Sequence, residues 1–488
     1  MLQINPDKLI EQFLYNPTAP LIFNSGLFLF LFLGFLFLYA FLHKYPYSRI
    51  LYLTAFSIYF YYKSSGTYVA VLLFTAVVDY SLAKLIYHAP KKWVKKALLI
   101  ISLVSNLGIL AYFKYTNFFI DLTNQLTLAN FAYLDIFLPV GVSFFTFQSL
   151  SYTIDVYRNE IKPVSLLDFT FFVTFFPQMV AGPIVRAKHF LPQIHRPIYV
   201  SHQDFGRGVF LFMCGLFKKA VISDYISRNF VDRVFDDPLR YTGLENLFGV
   251  YGYALQIYCD FSGYTDMAIG IALVLGYQLA PNFDAPYQSA SITEFWRRWH
   301  ISLSSWLKDY LYIGLGGNRL GKLRTYFNLM VTMLLGGLWH GASLQFVFWG
   351  FMHGLALSVE KFFNINANKR AILPVHLLRV ILTFHFVCFC WIFFRATTFE
   401  AATDILSQIL FDFKPQFFLT FITGYQKALT LMGLGLLLHF TPKWADLKME
   451  HWVTKMPLLA KSLILVAIVY LVMQVKSSDI QPFIYFQF

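Results

Sequence analysis

Residues 21–42 read LIFNSGLFLFLFLGFLFLYAFL, twenty-two consecutive positions without a charged side chain. A helix of about 20 apolar residues is long enough to cross the hydrocarbon core of a bilayer, so this stretch predicts a transmembrane helix. It is too long for the apolar region of a secretory signal, and no small-residue cleavage site follows it. His43, Lys44 and Arg49 come after it, whereas the tail before it sets Asp7 and Glu11 against Lys8. That bias predicts an N-terminus on the outer side, because basic residues favour the cytoplasmic face.

The rest of the chain has the same character. Of its 488 residues 57% are hydrophobic, 20% aromatic and only 13% charged, against about 25% charged in an average soluble chain. Soluble domains of this total length would need more charge to cover their outer faces, and a disordered chain would be far less apolar. The apolar residues suffice for about eleven spans of about 20 residues each. Further apolar runs lie near 50–62, 66–87, 97–113, 137–157, 166–182, 206–222, 244–276, 325–359, 375–394, 427–440 and 461–475. The runs at 244–276 and 325–359 are each long enough for a bent helix or two elements. Neither an internal repeat nor a low-complexity linker is visible, so residues 1–488 are expected to form one all-α, polytopic membrane domain. Many transporters carry two-fold internal symmetry, and none is visible here.

The formal net charge is +13. The cations sit in short groups between apolar runs: Lys91, Lys92, Lys95 and Lys96; Lys218 and Lys219; Arg319, Lys322 and Arg324. This is the pattern of cytoplasmic loops in a membrane protein, and it argues against a nucleic-acid partner. Cys214, Cys259, Cys388 and Cys390 lie in apolar surroundings, and the spacing of Cys388 and Cys390 with His385 matches no common zinc pattern. No metal is expected.

Residues 281–324 differ from their surroundings in holding many charges together with many aromatics. Ser291 and Glu294 form an S-x-x-E capping box, which predicts a helix opening at Phe295. On one continuous helix Phe295, Trp299, Ser302 and Trp306 share a stripe, and Trp296, His300, Leu303 and Leu307 share the next. A cytoplasm-facing amphipathic helix with Arg297, Arg298 and Lys308 at headgroup level fits this pattern. A re-entrant, funnel-lining segment is the alternative.

Ionisable groups inside apolar runs are costly and therefore functional candidates. His340 stands first, in Leu334-Leu-Gly-Gly-Leu-Trp-His-Gly-Ala-Ser343, flanked by small residues that allow close approach. An imidazole titrates near neutrality and can take a proton from an attacking hydroxyl, or it can simply bridge two helices. His300 is second, with an interfacial polar role as its ordinary alternative. His353 reads as structural, because on a straight helix its ring and that of His340 would not face the same way. Asp260 and Asp266 stand six residues apart, too far in angle to pair on a regular helix. Each could bond neighbouring hydroxyls, orient a histidine or carry protons in a transporter. Gly314-Leu-Gly-Gly-Asn-Arg319, followed by Lys322 and Arg324, could hold a phosphate or be a plain turn, and it matches neither a P-loop nor a dinucleotide fingerprint.

Together these segments resemble a known family. They are Pro139-Val-Gly-Val-Ser-Phe-Phe-Thr-Phe-Gln148, Phe176-Pro-Gln-Met-Val-Ala-Gly-Pro-Ile-Val-Arg186 and Asp260-Phe-Ser-Gly-Tyr-Thr-Asp266, then Asn282-Phe-Asp-Ala-Pro-Tyr287, Phe295-Trp-Arg-Arg-Trp-His300, Asp309-Tyr-Leu-Tyr312 and Leu338-Trp-His-Gly-Ala-Ser343. In this order they resemble the bacterial membrane-bound O-acyltransferases (MBOAT), in particular the AlgI-like subunits that O-acetylate exported polysaccharides, and are similar to the teichoic-acid D-alanylation protein DltB. Gly314, where the family usually has Pro, and Leu344, where an aromatic is common, depart from the pattern without removing a chemical group.

The resemblance implies a ring of about eleven helices with re-entrant or interfacial helices and a central funnel, set in the bacterial inner membrane. It implies His340 as the catalytic histidine and His300 as a second active-site histidine, with Trp339, Asp260, Asp266, Arg297 and Arg298 supporting the funnel. No tightly bound cofactor is implied. The donor would be an acyl thioester, either acetyl-CoA or an acyl carrier protein, with Arg319 and Lys322 as candidate contacts for it. Extracytoplasmic acetylation proteins would be the partners, besides membrane lipids. The ending Phe483-Ile-Tyr-Phe-Gln-Phe488 is similar to the F-x-Y-x-x-F motif of the partner peptide in D-alanylation, which makes Tyr485 a candidate acyl relay or an interfacial anchor. A proton-coupled transporter or flippase using Asp260 and Asp266 is the rival from another class.

Overall fold

The computed structural model describes residues 6–180, 182–365 and 372–475, and all regular structure among them is helical. Three helices, Pro46–His88, Lys92–Thr127 and Leu373–Arg395, are long and apolar enough to cross a membrane. Two bent pairs pass the same test together: Pro415–Gly424 with Gln426–His439, at 93°, and Lys443–Lys455 with Leu458–Gln474, at 119°. Pro46–His88 holds 43 residues, about 64 Å at 1.5 Å per residue, twice what one crossing needs. It is interrupted at Gly66, whose φ of 60° leads into a 3-10 turn. The apolar sequence is thus cut into shorter, bent and partly π-helical pieces.

The contacts group the chain into two compact units: Met1–Phe205 with Ile271–Leu279, and Gly206–Gly270 with Ala280–Phe488. In the first, Ser25 caps the Gly26–Leu42 helix by accepting the Phe28 amide at 3.2 Å. Phe35 of that helix stacks on Tyr52 at 4.8 Å. Arg49 is not a loop cation. It is fully buried and donates to the carbonyls of His43, Ile194 and Arg196 at 3.0, 2.6 and 3.1 Å. Asp79, a carboxylate the hydropathy reading passed over, is equally buried and accepts from Ser102 and Asn106 at 2.6 and 2.9 Å. A buried charge is tolerable only with such partners.

The second unit holds the candidate site. Gly215 lies against the backbone of the Gly243–Val274 helix, where an added Cβ would come within 2.3 Å of the Gly263 carbonyl. This contact sets the Lys218–Lys219 pair beside Asp260 and Asp266. The apolar run at 325–359 is two helices, Lys322–His340 and Leu344–Phe362, joined through Gly341–Ser343. They pack antiparallel with backbones touching: a Cβ on Gly337 would meet the Phe346 carbonyl at 2.2 Å, and one on Gly350 the Met333 carbonyl at 2.4 Å. Small residues at such positions let apolar helices approach where larger ones could not.

Candidate functional site

His340 is the last residue of the Lys322–His340 helix, and its side chain is buried. Its ring lies against Trp339, Trp349 and Phe394, with centroids 5.0, 5.0 and 5.3 Å away. His300 is 6.4 Å from it, centroid to centroid, which is beyond direct hydrogen-bond reach and near enough for one small group to lie between the two. Trp339 also contacts His300 at 5.8 Å, and Phe261 packs edge-on to the His300 ring at 4.7 Å. The two histidines singled out in the sequence, 40 positions apart, therefore share one aromatic-walled place.

The helix expected to carry His300 is not continuous. It begins at Ile292 rather than Phe295, ends at Arg298, and resumes as Ile301–Trp306 before a π-helical turn over Leu307–Tyr312. His300 sits in the break with φ 43° and ψ 54°, a left-handed conformation that is costly for a residue with a Cβ. Such strain persists where the surroundings over-determine it, and it marks functional sites. The aromatic stripes are turned inward: Phe295, Trp299, His300 and Leu303 are all fully buried.

Both ends of the Ile292–Arg298 helix are held. Ser291 caps it by accepting the Glu294 amide at 3.1 Å, as its sequence predicts. Glu294 reaches back to the amide of Ala290 at 2.9 Å. The remaining first-turn amides go to a residue the sequence reading missed. Glu360, near the end of the Leu344–Phe362 helix, accepts from the amides of Ile292 and Thr293 at 2.5 and 2.9 Å and from the Thr293 hydroxyl at 2.7 Å. A carboxylate at a helix N-terminus also meets the positive end of the helix dipole. At the other end, Arg298 pairs with Glu294 at 2.7 Å and donates to the Asp284 carbonyl at 3.3 Å. Arg297 is exposed.

His353 does not share a helix with His340, so the straight-helix argument about their rings does not apply. Trp349 lies between them, 4.7 Å from His353. His353 Nδ1 accepts from Trp296 Nε1 at 3.3 Å, a structural contact.

Asp260 and Asp266 are each engaged by a lysine. Lys219 contacts Asp260 at 2.5 Å and Asp224 at 2.7 Å, and Lys218 contacts Asp266 at 2.8 Å. These two lysines are not the cytoplasmic loop that the charge pattern suggests. Lys219 is buried in a π-helical stretch, Phe217–Ser223, that continues the His202–Leu216 helix. Asp260 is followed directly by Phe261, so the ion pair anchors the backbone next to the residue that packs on His300.

The glycine-rich turn lies elsewhere. Gly316, Gly317 and Gly321 take φ values of 107°, 56° and 87°, and Asn328 holds the turn by donating to the carbonyls of Leu315 and Gly317 at 3.2 and 3.0 Å. Beside it is a cavity of about 320 Å³ lined by Asn318, Gly321, Lys322, Thr325, Tyr326 and Lys361. Arg319 is exposed in this turn. Lys322 opens the 19-residue helix that His340 closes, which at about 1.5 Å per residue separates them by about 27 Å. Arg319 and Lys322 are therefore not part of the histidine site. Tyr485 and the Phe483–Phe488 motif lie outside the described residues. Among the described residues no group of three His, Cys, Asp or Glu side chains is placed to hold a metal ion.

The model of the MBOAT, membrane-bound O-acyltransferase family matches residues 58–403. This chain belongs to the membrane-bound O-acyltransferase family. It is 38% identical over 421 residues to the "Peptidoglycan O-acetyltransferase" of Helicobacter pylori, covering 80% of each chain. It is 37% identical to the Pseudomonas putida protein named "Probable alginate O-acetylase AlgI", covering 96% of this chain and 100% of that one. More distantly, it is 28% identical to the "Teichoic acid D-alanyltransferase" of Bacillus subtilis, over 54% of this chain and 69% of that one. As an MBOAT member the protein is a membrane acyltransferase.

Proposed function

We propose that this MBOAT protein moves an acyl group, acetyl in the first instance, from a cytoplasmic thioester to a polysaccharide exported across the bacterial inner membrane, with His340 as general base. The observation that carries this reading is the placement of buried His340 opposite His300 in one aromatic-walled site. The names of the Helicobacter and Pseudomonas relatives support an acetyl group and a glycan acceptor. Acetyl-CoA or an acyl carrier protein would supply the thioester, and extracytoplasmic proteins would complete delivery. Donor and acceptor would approach from opposite faces, since a charged carrier does not cross the bilayer whereas its acyl group can be handed over within it.

In the reaction, neutral His340 takes the acceptor's hydroxyl proton as the oxygen attacks the thioester carbonyl. A new C–O bond forms, the C–S bond breaks, and the thiolate leaves with little acid assistance because a thiol has a pKa of about 8.5. The proton then passes from His340 to the thiolate or to solvent, which restores the base. Such positioned proton transfer contributes about 10²–10⁴-fold in rate. His300 would orient the reacting group from the other side. The cations at Arg319 and Lys322, about 27 Å along the helix from His340, would meet an anionic part of the donor remote from its thioester.

The test is the ester-linked acyl content of the cell-surface glycan in a deletion strain complemented with wild type, His340→Ala or His340→Gln at equal membrane abundance. Loss of ester in both variants is expected, and the acid released from the wild-type glycan identifies the acyl group. D-alanine in place of acetate would move the substrate toward that of the Bacillus relative. Normal ester content in the His340 variants would refute the general base.

A further inference from the structure

We infer that Asn282 is a positioning residue for His300, supplying from a separate segment the helix cap that His300 itself does not provide. The inference rests on the reading of His300 as part of the reacting site. The first residue flanking a helix is ordinarily Ser, Thr, Asp or Asn, whose side-chain oxygen takes an amide of the first turn. At the start of the Ile301–Trp306 helix that place is held by His300, whose side chain makes no cap. Its ring is turned instead toward Phe261, Trp339 and His340.

Asn282 does the capping. Its side-chain Oδ1 accepts from the Ser302 amide at 3.1 Å and from the Ser302 hydroxyl at 2.9 Å. Its main-chain carbonyl accepts the Ile301 amide at 2.9 Å. On the other side of His300, the Asp284 amide donates to the Arg298 carbonyl at 3.0 Å. Residues 282–284 thus run beside 298–302 and grip the chain on both flanks of His300, whose backbone is left-handed. Asn282 is 1% exposed, so water cannot stand in for its oxygens. An orphaned buried donor carries its full desolvation cost, which makes these contacts obligatory for the break to keep its shape.

The sequence offers no local reason for His at a cap position, and local rules give way at functional sites where something else compensates. Here the compensation is visible: capping is delegated to Asn282, and the imidazole faces the second histidine. Without Oδ1 the Ser302 amide and hydroxyl lose this acceptor, the left-handed turn relaxes, and the ring of His300 moves. A misplacement of about 1 Å in a reacting constellation costs roughly 10²-fold in rate.

The test uses full-length protein in detergent and the complemented deletion strain in parallel. Hydrogen–deuterium exchange at the imidazole C2 position, read by mass spectrometry, reports the environment of each histidine separately. His353, buried in the same unit, serves as reference. Asn282→Ala is expected to speed exchange at His300 several-fold while leaving His353 unchanged, and to lower glycan ester at least tenfold at equal abundance. Asn282→Asp keeps an oxygen acceptor for Ser302 at the cost of burying a carboxyl group, so it should bring both readings part of the way back toward wild type. If Asn282→Ala is not recovered from membranes, Asn282→Ser, a shorter acceptor, is measured by the same exchange. Unchanged exchange at His300, or equal acceleration at His300 and His353, would overturn the inference, the latter showing only general support of the unit. His300→Ala with normal ester would remove the reacting role of His300, while the exchange result would still decide what Asn282 holds.

Discussion

Replacing Lys219 with Met keeps an unbranched apolar stem and deletes one charge from the interior of the second unit. The ammonium stands 2.7 Å from Asp224 and 2.5 Å from Asp260, with the Lys219 side chain 2% exposed and that of Asp260 4%. The variant would leave Asp224 and Asp260 without the ammonium that lies between them. Removing one partner of a buried pair costs about 3–5 kcal/mol, because the stranded charge keeps its desolvation penalty. Set against domain stabilities of about 5–15 kcal/mol, that is a loss of roughly a third or more. The triple variant Lys219→Met, Asp224→Asn, Asp260→Asn removes the ammonium together with both of its carboxylates, and replacing a buried ion pair outright is often close to neutral. It should recover most of the stability that the single variant loses. Thermal unfolding of the purified proteins in one detergent, followed by tryptophan fluorescence, measures both. The reasoning is refuted if Lys219→Met melts with the wild type, or if the triple variant is no more stable than the single one.

Two further outcomes follow from backbone contacts. Gly337→Ala would drive a methyl into the Phe346 carbonyl, whereas the Cβ of Gly433→Ala would meet nothing within 4 Å. The first should cost about 3 kcal/mol or more as overpacking against main chain, and the second should be neutral or gain up to about 1 kcal/mol of helix propensity, both read by the same unfolding assay. Glu360→Ala should cost about 1–2 kcal/mol as the loss of a helix cap and speed amide exchange at Ile292 and Thr293, with Glu360→Gln retaining part of the protection.

Much of the candidate site was legible because it is written in residue types that apolar segments ordinarily avoid. His340 among Leu, Gly and Trp, and His300 after two arginines, stood out before any fold was known, and the ordered motifs tied them to a family. Ser291 announced its helix in the same way. Other features were not legible, because they depend on partners distant in the chain. Lys218 and Lys219 look like a loop until Asp260 and Asp266 are brought beside them, about 45 positions later. Arg49 looks like a flank of the first span until the carbonyls of Ile194 and Arg196 are seen to take its guanidinium. Glu360 and Asn282 carry no signal of their own, since each acts on a helix start that lies elsewhere in sequence.

By itself, then, the sequence determined the solvent this chain is built for, its helical class and its acyltransferase family, and it singled out the two candidate histidines. Hydropathy and composition are summed along the chain and need no knowledge of contacts. The tertiary structure alone decided where helices break and what holds the breaks. Periodicity carries 295–307 through as one helix, yet the chain turns at His300 because Asn282, nineteen and twenty residues upstream of the amides it satisfies, makes a left-handed residue affordable there. That turn, and the close backbone packing of the helix that ends in His340, set the two imidazoles 6.4 Å apart.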